Sequence, residues 1–99
     1  MEKDLAQQTL ALVQKDLQLP TSKEDLDEEQ AIDWLSKAIR QLLNQDFERF
    51  LQICYRIDLS EAKLKKILHE SEPDELAMDL ANAIWERQKQ KIEIRRRYS

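Results

Sequence analysis

The side chains that most readily do chemistry are scarce in this chain. Cys54 is the only thiol and His69 the only imidazole in 99 residues. A thiol activated by a neighbouring imidazole is a nucleophile, so these two form the one formal catalytic pair. Their local settings argue against it. Cys54 stands in "DFERFLQICYR" at helical spacing from Phe50 and Leu51, where a thiol behaves as a small, inert hydrophobe. His69 closes "SEAKLKKILHE", where an imidazolium simply complements a helix dipole. Twenty acidic residues offer many carboxylate pairs, and that abundance removes their diagnostic value. None has the ligand spacing of a calcium loop, which also needs a turn glycine. "HESE" lacks the second histidine of a helical zinc motif. No catalytic, cofactor-binding or metal-binding residue is assigned, and an enzyme is not expected.

Charge carries a stronger signal. The net charge is −4, yet the closing "ERQKQKIEIRRRYS" holds six basic and two acidic residues. That segment is +4, which leaves −8 on residues 1–85. On a helix Arg87, Lys91 and Arg95 recur at steps of four, with Lys89, Arg96 and Arg97 on other sides. Three uses follow. The cations can complement a helix C-terminus, with their long stems covering apolar surface. They can meet the acidic run of residues 24–33, within one molecule or between two. Or Lys89, Lys91, Arg95, Arg96 and Arg97 can contact nucleic-acid phosphates. The last is the weaker alternative. The −8 elsewhere repels a phosphate backbone, and Tyr98 is the tail's only aromatic for base stacking. A helix-turn-helix drawn over "LSEAKLKKILHESEPDELAMDLANAI" presents Asp74, Glu75 and Asp79 where recognition side chains should meet DNA.

The elements that must position these groups are helices. The chain has no glycine, so it lacks the usual residue for tight hairpins and phosphate-cradling loops. Strong helix formers dominate instead, and 41% apolar residues suffice for a modest core. An all-α bundle of four or five helices in one domain, residues 1–99, is predicted.

The first helix, about Lys3 to Gln18, sets Ala6, Leu10, Val13 and Leu17 on one wide apolar face. Pro20 ends it. Residues 1–19 form the most separable piece, able to pack on the 22–99 bundle or on a partner. Ser22 with Asp25 is spaced as a capping box, and the second helix starts between Lys23 and Asp27. Its stripe is Ile32, Leu35, Ile39 and Leu42, with Trp34 beside it and partly exposed. Asn44 can end that helix in the left-handed conformation, and Asp46 can cap a third that buries Phe47, Phe50, Leu51 and Cys54. An unbroken or kinked helix is the competing reading. Asp58 with Glu61, or Ser60, caps a short helix that turns Leu59, Ala62, Leu64, Ile67 and Leu68 inward. Ser71 or Glu72, with Pro73 in the first turn, starts the last helix, which runs to about Ile94.

"MEKDLAQQTL" does not read as a secretory signal, and no run of about eighteen apolar residues occurs. One cysteine excludes an intramolecular disulfide, so a reducing compartment, the cytoplasm, is expected. With chemistry absent, surface remains. Trp34, Tyr55, Arg56 and Trp85 are the candidate anchors for a protein partner, a second copy first of all, because Trp, Tyr and Arg dominate interface energetics. For Tyr55 and Arg56 a structural role is the leading reading, with Arg56 reaching Asp58 or an acidic helix end to tie the junction together, and recognition is the alternative.

"DFERFLQICYRIDLSEAKLKKIL" and "WERQKQKIEIRRRY" together resemble a group of short bacterial proteins. The shared look is a YRID-S-E junction followed, about thirty residues on, by a Glu-Arg-Gln run and a basic end. The similarity spans roughly residues 32–98 and omits the first helix. It implies a small helical bacterial protein and carries no activity and no site.

Overall fold

A computed structural model describes residues 2–19 and 26–98, with side chains from Asp4 onward. Five helices follow one another: α1 (Glu2–Leu17), α2 (Glu28–Gln45), α3 (Phe47–Arg56), α4 (Glu61–Glu70) and α5 (Leu76–Tyr98). No strand occurs among the described residues, and the fold is an all-α bundle. Its radius of gyration is 13.1 Å, close to the ~13 Å of a compact chain of this length. One hydrophobic cluster draws on all five helices. α5 is the spine: α1, α2 and α4 all pack on it, and α3 joins through α2 and α1.

The helix ends explain how a chain without glycine turns its corners. α1 ends in a Schellman motif, with the Leu19 N–H donating to Gln14 O at 2.9 Å and the Gln18 N–H to Lys15 O at 3.3 Å. Gln18 takes the left-handed position at φ 55°. The expected Ser22–Asp25 box lies outside the described residues. The cap that is seen is Asp27, whose Oδ1 accepts from the Gln30 N–H at 2.7 Å. Gln30 Oε1 accepts in turn from the Asp27 N–H at 3.1 Å, which completes a capping box.

The next three junctions keep the expected caps Asp46 and Ser60 and correct the roles expected of Asn44, Asp58 and Pro73. Asn44 stays inside α2, and the break falls on Asp46 alone. Its N–H donates to Leu42 O at 2.8 Å while its Oδ1 accepts from the Arg49 N–H at 3.1 Å, so one residue closes α2 and opens α3. Asp58 does not cap α4. It sits at φ 62° as the left-handed residue of a second Schellman motif, with Leu59 N–H donating to Cys54 O at 3.0 Å and Asp58 N–H to Tyr55 O at 3.1 Å. Ser60 is the α4 cap, accepting from the Lys63 N–H at 3.3 Å. Pro73 lies in a turn before α5, which starts at Leu76 and continues four residues past Ile94 to Tyr98.

The buried faces follow the helical spacing. Ala6, Leu10, Val13 and Leu17 of α1 are buried, as are Leu35 and Ile39 of α2 and Phe50, Ile53 and Cys54 of α3. Leu59 and Leu64 are buried, but Ala62 faces solvent, because α4 buries a narrower face than its apolar count suggests. Phe47 is exposed and stacks on Phe50, with ring centroids 6.2 Å apart. The seam between α1 and α5 is partly polar. Gln88 is wholly buried there, and its Nε2 donates to Asp16 Oδ2 at 2.6 Å. Gln88 Oε1 and Gln14 Nε2 are buried without a hydrogen-bond partner.

Candidate interaction surface

Trp34 lies one residue before the buried Leu35, at the edge of the apolar stripe of α2. That phase leaves the indole half-buried rather than enclosed. Ile32 and Leu26 are half-buried beside it, and Met78 of α5 closes the other side. The four make the floor of an open groove of about 690 Å³ between α2 and α5. Glu29, Asp33 and Lys37 form its rim, with Lys37 and Asp33 paired at 3.4 Å one turn apart on exposed surface. The exposed Glu29 leaves the rim with net negative charge.

Trp85 is not part of any surface. It is fully buried at the heart of the bundle, which corrects its expected role as an anchor. Its Nε1–H donates to Glu28 Oε2 at 3.1 Å, and Lys89 Nζ reaches the same oxygen at 3.1 Å. One carboxylate from the first turn of α2 thus joins two successive turns of α5. Desolvation is the largest single influence on Glu28 and works against its charge. The indole N–H and the Lys89 ammonium together outweigh it and hold the carboxyl below its usual range. Lys89 is raised, chiefly by the hydrogen bond to Glu28.

The α3–α4 junction is tied by Arg87, not by Arg56. Arg87 Nε donates to Ile57 O at 3.2 Å and Asp58 O at 3.1 Å, and its Nη2 lies 3.6 Å from the Asp58 carboxylate. A cation against the terminal carbonyls of α3 is favoured by the helix dipole. Tyr55 and Arg56 point to solvent on the last turn of α3, with Tyr55 59% exposed. They are far from buried at any contact within the chain, so they stay accessible, but they line no groove with Trp34.

The basic segment is largely held in place. Lys89 pairs with Glu28, and Arg96 Nη2 meets Asp4 Oδ2 at 3.1 Å. Lys91 is half-buried, and desolvation, aided by Arg87, pushes its ammonium below the usual lysine range. Arg95 and Arg97 are exposed and make no ion pair among the described residues. The five cations expected to contact nucleic acid therefore do not form one free array, because two of them bind carboxylates of the same chain.

Cys54 is buried, and burial pushes its thiol up to about 11, so little thiolate forms at neutral pH. His69 is exposed in the last turn of α4. No hydrogen bond links the two. No group of three or more His, Cys, Asp or Glu side chains among the described residues is placed to hold a metal ion. No helix among them is long and apolar enough to cross a membrane.

The meeting of the basic tail with the acidic run of residues 24–33 is among the sequence-based expectations, and Lys89 makes it with Glu28; sequence reasoning missed that Trp85 shares that carboxylate, and it missed the Arg87 clamp. No protein-family model matches the chain, and no curated protein or solved structure matches it.

Proposed function

We propose that this chain is a non-catalytic protein–protein interaction module, a small adaptor that self-associates, and that it receives its partner in the groove beside Trp34. The observation that carries the reading is the groove itself. Trp34, Ile32, Leu26 and Met78 expose contiguous apolar surface that no element among the described residues covers. Grooves of this kind accept one apolar face of a helix, and a Trp at the centre is a typical energetic anchor. The buried, poorly ionised Cys54 and the solvent-exposed His69 accord with a role that makes no covalent bond. A cytoplasmic location in a bacterium is part of the same proposal, supported by the single buried thiol and by the YRID-S-E resemblance.

The test is light scattering on the purified chain over a concentration series, with Trp34→Ala in parallel. The expected result is a mass that rises with concentration for the native chain and does so more weakly for the variant. A native chain that stays monomeric at every concentration overturns the reading.

A further inference from the structure

Resting on the reading of a self-associating module, we propose that the occupant of the Trp34 groove is the last turn of α5 from a second copy. Four large apolar side chains are exposed among the described residues: Phe47, Tyr55, Ile94 and Tyr98. Ile94 and Tyr98 are four residues apart on one helix, so they stand together as an apolar ridge. Arg95 and Arg97 flank them, exposed and without an ion partner among the described residues, while Arg87 and Lys89 are engaged by the chain's own carboxylates. The groove offers the complement: an apolar floor under a rim of Glu29, Asp33 and Lys37, in which the Asp33–Lys37 pair leaves Glu29 as the uncompensated charge. A helical turn with two apolar anchors and two cations fits an apolar groove with an acidic edge.

The donor has to be another molecule. The groove reaches α5 at Met78 and Asn82, and Ile94 lies further along the same unbroken helix, about 18 Å away at 1.5 Å per residue. A continuous helix does not fold back on itself, so the chain's own last turn never reaches its own groove. Donor and acceptor are different surfaces of one chain, so two copies can exchange them reciprocally about a two-fold axis or pass them head to tail. The strength of the contact depends on charge, so salt weakens it, and the fraction associated rises with concentration.

Charge reversal tests this directly on the full chain. One variant, Glu29→Arg with Asp33→Arg, reverses the rim. Another, Arg95→Glu with Arg97→Glu, reverses the turn. All four positions are exposed, and circular dichroism confirms that each variant keeps its helices. Sedimentation equilibrium is expected to show each variant associating about tenfold more weakly than the native chain, and an equimolar mixture of the two recovering association. Failure of the mixture to recover overturns the direct contact. If the native chain associates and the Arg95/Arg97 variant associates equally well, the occupant is wrong while self-association stands. A native chain that never associates removes both readings.

Discussion

Replacing Gln88 by leucine tests whether the polar seam between α1 and α5 weakens the fold. The side chain is fully buried; one of its polar atoms has a partner and the other does not. An unpaired buried acceptor costs about 1–3 kcal/mol. The bond to Asp16 is charge-assisted and contributes about 1.5–3 kcal/mol, at the low end here because the half-buried Asp16 recovers water when released. Leucine fills nearly the same volume, and burying it contributes a further ~1.5–3 kcal/mol. The balance favours Gln88→Leu by about 1–2 kcal/mol. Gln88→Ala removes the same two polar atoms but opens a void, and is expected to destabilise by about 1–3 kcal/mol. Urea denaturation followed by far-UV circular dichroism separates the two, since the midpoint should rise for leucine and fall for alanine at constant slope. Native-state hydrogen exchange should show slower opening of α1 in the leucine variant. If leucine lowers the midpoint as far as alanine does, the unpaired oxygen carries no cost and the seam is not a weak point.

Three further outcomes are expected. Gln18→Gly relieves a left-handed backbone that a β-carbon disfavours and should raise stability by about 0.5–1 kcal/mol, measured by the urea midpoint; Gln18→Ala should give no such gain. The Glu28 carboxyl is lowered in the fold, so its contribution is complete above the ordinary value of 4.5 and is lost as pH falls through the folded value. Lys89 is raised, so its contribution is complete below 10.5 and is lost as pH rises through its folded value, whereas the lowered Lys91 opposes folding while charged and ceases to do so as it deprotonates. Thermal melts of the native chain and Glu28→Gln should therefore diverge at neutral pH and converge in acid; parallel curves would refute the tie. Cys54 should react with a disulfide reagent at neutral pH only slowly in the native chain and rapidly in urea, and fast native labelling would contradict its burial and raised thiol.

Much of the fold was legible in the sequence because helices record themselves in local spacing. The buried residues of α1, α2 and α3 stand where a 3.6-residue period puts them, and Asp46 announces its cap by chemistry alone. The corners were less legible. Asn44 and Asp58 are each suited to more than one helix-end role, and the choice depends on which carbonyls neighbouring elements leave to be bonded. Trp34 and Trp85 look alike in a helical pattern, yet one edges a groove and the other is enclosed, because α2 and α1 both cover the middle of α5. A signal for Gln88 did exist: it continues the Ala81, Ile84, Trp85 line at helical spacing, so a buried amide could have been read there. Arg87 gave little, because the groups it clamps at the α3–α4 junction lie about thirty residues away in sequence, and the two it hydrogen-bonds there are backbone carbonyls, which every residue carries.

The single-residue corner at Asp46 has a consequence for how such a chain can change in length. α2 and α3 share that residue with no slack between them, so the two helices are geared together. Inserting one residue there advances α3 by about 100°, and Phe50, Ile53 and Cys54 swing out of the core together. Insertions and deletions at that point are thus barred by rotation rather than by sterics, and only a change of a near-whole turn keeps the mesh.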